Sequence, residues 1–296
     1  MSKLKALIVG YGRAGRTHEQ FYKDNGIAWS HVDSQAGFEN ELNWANEPRV
    51  TADHRIQYDI VSICSPDNFH TDQTIIALQH GCHVICEKPL CLYDSELDRL
   101  LAAVEKYGRK VWCNLPLRFA EPEIRANVDN ERLAQGDART LWMQGIYSKD
   151  LGARLTSGWR TDFPYSPVHG GGIHIIDAVF TDSRMPGITS RSEYTGNGQA
   201  HTNRTVLMPD DQPVFEVLTV IDEAAASTKT VMSLGMLPPD AELFGVAQRW
   251  TDYDKTAALS HALKQIQAGE ENDQWNRDVL LHRICNKAAE LARRPQ

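Results

Sequence analysis

The sequence predicts two α/β domains in one chain. The first, over residues 1–117, is a doubly wound parallel sheet. The second, over residues 118–296, is an α/β domain built on a large open, mostly antiparallel sheet. Three observations carry this. Short apolar runs alternate with amphipathic stretches from Leu4 to Asn114, the pattern of repeated β-α-β units. A glycine-rich hexapeptide, Gly10 to Gly15, directly follows the first apolar run. After Pro116 the apolar runs lengthen and fewer helical stretches separate them, as expected of an antiparallel sheet.

Taken in order, Leu4–Gly10 reads as the first strand and Ala14–Lys23 as the helix that follows it. Ile27–Asp33 and Asp59–Ser65 are the next strands, and residues 35–55 between them are irregular beyond one short helix. A helix over Asn68–Gln79 leads to the strand His83–Glu87, and a helix over Ser95–Tyr107 to the strand Lys110–Asn114. These strands are nearly continuous apolar runs, as strands covered on both faces should be. In the second domain Ala138–Tyr147, Val214–Ile221 and Thr228–Met236 read as long strands, and helices over Lys255–Gln267 and Asn276–Arg293 close the chain. Repeats and low-complexity linkers are absent, so the domains join tightly near Leu115–Phe119.

At 296 residues the chain is long enough for two domains of about 100–200 residues, each with its own core. The net charge is −8 and the cations are scattered among acids, which argues against a nucleic-acid partner. The apolar run at the start is too short for a secretory signal, and no stretch approaches about 18 consecutive apolar residues, so the expected location is the cytoplasm with no membrane partner. Cys82, Cys86 and Cys91 lack the C-x-x-C spacing of a zinc knuckle and lie in or beside an apolar strand, where cysteine behaves as a small hydrophobe; no metal is expected.

Gly10-Tyr11-Gly12-Arg13-Ala14-Gly15 lies between a strand and a helix, the context of a Rossmann dinucleotide site. The first glycine permits the turn, the second lets the backbone approach a pyrophosphate, and the third allows close packing of the helix, whose N-terminal N–H groups favour an anion. Asp33, closing the second strand, can accept from the ribose hydroxyls and would repel a 2′-phosphate, which favours NAD. Ser34 beside it, with Arg13 and Arg16 in the turn and first helix, leaves NADP open.

This hexapeptide, the stretch Ser65-Pro66-Asp67-Asn68-Phe69-His70, Cys86-Glu87-Lys88-Pro89, Arg118-Phe119, Trp159-Arg160 and the run Gly170-Gly171-Gly172-Ile173-His174-Ile175-Ile176-Asp177 together resemble the glucose-fructose oxidoreductase/inositol dehydrogenase (Gfo/Idh/MocA) family. The resemblance spans about the first 180 residues. It implies a bound NAD(P), and oxidation or reduction at a carbon bearing a hydroxyl or carbonyl in a sugar, cyclitol or derivative. It also implies roles residue by residue: Lys88 contacting both the substrate hydroxyl and the nicotinamide ribose, His174 beside the reacting hydroxyl, and Asp177 three residues on binding or orienting substrate. His70, Asn114 and Arg118 either line the pocket, as substrate-binding residues, or hold the loops after their strands. Glu87, Pro89, Ser65, Pro66, Asn68, Trp159 and Arg160 would lie beside the cofactor.

The chemistry is consistent with these residues. Hydride departure from a carbinol requires loss of the hydroxyl proton, and a lysine partly buried beside a cationic nicotinamide has its charged form disfavoured, as a base requires. On a helix starting near Gly172, His174 and Asp177 point to the same side. One position departs from the family pattern: the aspartate common four residues before the histidine is Gly170 here. Either Lys88 and His174 suffice, or His169 or Asp162 substitutes, or the substrate is not a plain alcohol. The last option makes an imine or enamine reductase the alternative enzyme, and a noncatalytic nucleotide-binding relative the alternative outside catalysis. An open sheet with an exposed apolar face predicts a homodimer or homotetramer through the second domain.

Overall fold

The computed structural model describes residues 4–33, 58–120, 142–149, 166–180, 183–194, 200–210, 214–221, 231–237, 248–250 and 254–293. In chain order its elements are β1 (Lys5–Val9), α1 (Arg13–Asp24), β2 (Ala28–Val32), β3 (Ile60–Ile63), α2 (His70–Gln79), β4 (His83–Glu87), α3 (Asp94–Tyr107) and β5 (Val111–Asn114). There follow β6 (Trp142–Lys149), α4 (Ile173–Val179), β7 (Gly187–Tyr194), β8 (Ala200–Met208), β9 (Val214–Ile221), β10 (Val231–Leu237), β11 (Gln248–Trp250), α5 (Ala257–Ala268) and α6 (Trp275–Arg293). The chain divides into two compact units, the first comprising residues 1–116 with 256–282 and the second 117–255 with 283–296.

In the first unit five strands form one sheet in the order β2-β1-β3-β4-β5, every pairing parallel. The chain leaves β1 toward one edge and continues from β3 toward the other, so the strand order reverses at the C-terminal ends of β1 and β3, where open α/β sheets bind ligands. All of β3 and the central residues of β1 and β4 are buried, in keeping with their unbroken apolar sequences. Helix α3 shows how locally the elements are specified. Glu96 in its first turn accepts from the Leu92 N–H at 2.8 Å, and Gly108, at a φ of +60°, ends it in the left-handed conformation that favours glycine.

The sequence expectation placed all of residues 118–296 in the second domain, and here the structure differs. Leu259, Ala262 and Leu263 of α5 belong to the same core as Ala6, Ile8, Tyr22, Ile60, Ile85 and Trp112, and the Trp112 indole donates to Gln265 Oε1 at 2.7 Å. Burying each leucine stabilises by about 1.5–3 kcal/mol, enough to bring the late helix back to the early sheet. The N-terminal boundary, by contrast, falls at residues 116/117.

The second unit contains a six-stranded sheet in the order β11-β10-β6-β9-β8-β7, antiparallel except for the parallel pair β6–β9. Helix α4, preceded by a π-helical turn over Val168–Gly172, lies close against β9: a Cβ at Gly172 would come within 2.9 Å of Thr219 Oγ1. Strands β7 and β8 escape sequence reading because much of their buried face is polar. Ser190, Asn203 and Thr205 are buried and satisfy one another, Asn203 Nδ2 donating to Ser190 Oγ at 3.0 Å and Thr205 Oγ1 to Asn203 Oδ1 at 2.7 Å. Among the described residues no helix is long and apolar enough to cross a membrane.

Candidate cofactor and proton-transfer site

The glycine-rich turn links the C-terminal end of β1 to α1. Gly10 adopts a φ of +88°, and a Cβ there would fall 2.6 Å from the Ser65 backbone nitrogen. At Gly15 a Cβ would meet the Gly10 carbonyl oxygen at 2.2 Å. Both glycines are therefore demanded by packing within the fold. Gly12 is not: it is exposed, and a Cβ built on it meets nothing within 4 Å. It is also the N-cap of α1, whose first turn has neither a side-chain cap nor an acidic residue. Unpaired N–H groups face open space over a glycine the fold does not need, and this fits a pyrophosphate.

The residues around the turn divide between lining that space and bracing it. Arg13 is exposed and Ala14 half-buried. The Tyr11 ring stacks on His31 with centroids 3.8 Å apart, its hydroxyl bonds Glu19, and the Arg16 guanidinium lies 5.8 Å over the ring. Arg16 is thus engaged by Tyr11. Asp33 is exposed directly after β2; Ser34 lies outside the described residues.

Across the reversal point the turn after β3 carries Ser65, Pro66 and Asn68. The Ser65 hydroxyl donates inward to Gln73, so its side chain braces the turn. Asn68 Oδ1 is buried without a hydrogen-bond partner among the described residues, as is Asn114 Oδ1, and both are acceptors suited to a polar ligand.

Glu87 ends β4 and Lys88 follows it, both half-buried, with a cis peptide between Lys88 and Pro89. Glu87 was expected to lie against the cofactor, but its Oε1 is held from within, by Asn114 Nδ2 at 2.6 Å and His18 Nε2 at 3.3 Å. His18 Nδ1 continues to Ser62 Oγ at 2.9 Å, which meets the Tyr22 hydroxyl at 2.5 Å. Burial would raise the Glu87 pKa, but these contacts, His18 foremost, outweigh it and hold the carboxyl down at about 2. His18, Ser62 and Tyr22 are fully buried, so the network ends in the core and anchors Glu87 beside Lys88. This network is not among the sequence expectations. A signal existed: Gly15, His18 and Tyr22 recur at helical spacing and all face inward on α1.

His70, expected to line the substrate pocket, is 1% exposed, and its two ring nitrogens contact the backbone oxygens of Pro89 at 2.6 Å and Ser65 at 2.8 Å. Both nitrogens are committed inward, so the ring joins two turns and has none left for a substrate.

In the second unit His174 and Asp177 lie on α4, as the spacing predicts, and both are buried. Asp177 and Arg118, both expected to bind substrate, instead hold each other. Arg118 Nη2 donates to Asp177 Oδ1 at 2.8 Å and Nε to Oδ1 and Oδ2 at 3.0 and 3.1 Å, a fork-on-fork pair with side chains 5% and 1% exposed. Gly170 is buried in the π-helical turn, and His169 Nε2 contacts Asn286 Oδ1 on α6 at 2.9 Å, a packing role for a residue that was a candidate for the missing aspartate. Trp159, Arg160 and Asp162 lie outside the described residues.

Comparison with known proteins adds three findings. The Gfo/Idh/MocA model, described as an oxidoreductase family with an NAD-binding Rossmann fold, matches residues 4–115. The D-glucoside 3-dehydrogenase of Escherichia coli K12 is 30% identical over 146 residues, 46% of this chain and 38% of that protein; the chain spans less than half the length of the curated relatives it matches. Among solved structures, myo-inositol 2-dehydrogenase from Lactobacillus plantarum superposes with a TM-score of 0.71 at 17% identity, covering 98% of this chain and 97% of that one. A Thermus thermophilus dehydrogenase in complex with NAD and α-ketoglutarate gives 0.70 at 18% identity, over 99% and 97%. At these identities the structures speak to the fold alone.

Proposed function

We propose that the chain, whose residues 4–115 match the Gfo/Idh/MocA oxidoreductase family, is an NAD-dependent dehydrogenase or reductase acting at a carbinol or carbonyl carbon of a sugar, cyclitol or derivative. The observation that carries this reading is Gly12: open, uncapped, and required by nothing in the fold. A bound nicotinamide supplies the hydride acceptor or donor. The α1 N-terminus and the Gly12 backbone would receive the pyrophosphate, and Asp33 would accept from the ribose hydroxyls. Lys88, beside a carboxylate fixed by Asn114 and His18, removes the hydroxyl proton on oxidation and returns it on reduction.

The test is a titration of NAD(H) and NADP(H) into wild type, Gly12→Val and Asp33→Ala, followed by a polyol panel with the preferred cofactor. Gly12→Val should change the melting temperature little, since a Cβ there meets nothing within 4 Å, and weaken NAD binding by at least about tenfold, roughly 1.4 kcal/mol. Asp33→Ala should erode the preference for NAD over NADP. Absence of binding by the wild type at millimolar cofactor, or unaltered affinity in Gly12→Val, overturns the assignment. A second reading, hydride transfer to an imine or enamine, is favoured by the carboxylate-free position at Gly170; turnover of cyclic imines with reduced cofactor, and of no polyol, would establish it.

We propose further that the second unit mediates self-association. On β8 and β9 the face away from α4 carries the exposed Met208 and the half-buried Val206 and Leu218. Light scattering at micromolar concentration should give a mass above one protomer; a monomeric mass rejects this.

A further inference from the structure

His70 is the group the proposed reaction leaves unused, and its hydrogen bonds constrain its charge. Both ring nitrogens contact backbone carbonyl oxygens, Nδ1 that of Pro89 at 2.6 Å and Nε2 that of Ser65 at 2.8 Å. A carbonyl oxygen only accepts, whereas a neutral imidazole has one N–H and one lone pair. A neutral ring would set that lone pair against a carbonyl lone pair at less than 3 Å, in a site that is 1% exposed. Only a ring protonated on both nitrogens satisfies both contacts.

We infer that His70 is a buried imidazolium at neutral and mildly alkaline pH, and that its two charge-assisted hydrogen bonds make it a positioning residue, tying the Ser65–Asn68 turn to the Lys88–Pro89 corner. The kinetic consequence rests on the reading of Lys88 above; the charge itself does not. The groups that act on the ring are Cys86 of β4 and Asp67 of the turn before α2. Burial opposes the charge, but Cys86, Asp67 and the Pro89 carbonyl outweigh it and raise the pKa to about 10.

The same corner has a second histidine with the opposite proton count. The Leu90 N–H donates to His282 Nε2 at 2.8 Å, while His282 Nδ1 contacts the Asp278 carbonyl at 2.6 Å, so His282 is neutral with its proton on Nδ1. Thr71 Oγ1 also donates to the Leu90 carbonyl, at 3.1 Å. The segment following Lys88 is thus fully clamped only where His70 is charged and His282 is not. Because the folded His70 pKa lies above its unfolded value of about 6.5, its contribution is complete below that pH and is lost as pH rises through about 10.

The test is nitrogen NMR of histidine-labelled wild-type protein from about pH 6 to about pH 9, with the His70 signals identified by their absence from His70→Gln or, should that variant not fold, by correlation to the backbone. Both His70 nitrogens should appear as the protonated type throughout, and the His282 ring as one protonated and one bare. A bare nitrogen on His70 at neutral pH overturns the inference, whatever the activity. His70→Gln should lower kcat by about tenfold while changing substrate KM by less than about twofold, as expected when a proton-moving group is misplaced and binding is spared. An unchanged kcat rejects the positioning role. If the wild type turns over nothing on the panel, the Lys88 reading fails while the nitrogen spectrum still decides His70.

Discussion

Lys88→Ala should lower kcat by roughly 10²–10⁴, the range for deleting a general acid or base, while NAD affinity changes by no more than about threefold. The two effects separate because the proposed pyrophosphate contacts come from Gly12 and the α1 N-terminus, whereas Lys88 directly follows β4, two strands from β1 in the sheet. Its surroundings are internally fixed. Glu87 before it is locked by Asn114 and His18, and Pro89 after it by His70, so removing the amine leaves the corner standing. Lys88→Arg should not restore the rate, because a guanidinium does not release its proton at any working pH. Steady-state kinetics on the preferred polyol, with titration of cofactor into the same variants, checks both parts. A variant that keeps more than about a tenth of wild-type kcat shows that Lys88 does not move the proton.

The parallel sheet was readable in the sequence because its strands are buried on both faces and their apolar runs are unbroken. The glycine turn was readable because two of its glycines are steric necessities and the third is left open. The legibility ends where the buried partner is polar. Ser190, Asn203 and Thr205 carry no apolar alternation, so β7 and β8 were invisible, although a closed hydrogen-bond set makes them a sound sheet face. For α5 the pattern of the helix was visible but its partner was not, since nothing local in Leu259 or Gln265 indicates packing against Trp112. The site shows the same division. The residue types at Lys88, His174 and Asp177 were noticed, but whether a polar group faces a ligand or a neighbour depends on contacts distant in sequence. Arg118 with Asp177, and His70 with Ser65 and Pro89, turned out to face neighbours.

Asp177→Ala should destabilise the second unit by about 3–5 kcal/mol, the cost of leaving one member of a buried ion pair without its partner. Arg118 is 5% exposed on its side chain, and its three hydrogen bonds to Asp177 are charge-assisted and forked, so water cannot replace the lost carboxylate without opening the packing around α4. Against a total stability of about 5–15 kcal/mol for a typical domain, the loss is large enough to unfold part of the population at moderate temperature. Replacing both residues, as Arg118→Met with Asp177→Leu, removes both charges together, and the double variant should recover most of the lost stability. Denaturant unfolding of the two single variants and the double closes the cycle. A loss below about 1 kcal/mol in Asp177→Ala would place the carboxylate's worth outside the pair and return it to the role the sequence suggested, contact with a substrate. Where Asp177→Ala does lose stability, the double variant discriminates further: recovered stability with intact turnover makes the pair a brace for the helix that carries His174, whereas recovered stability with lost turnover makes the pair part of the site.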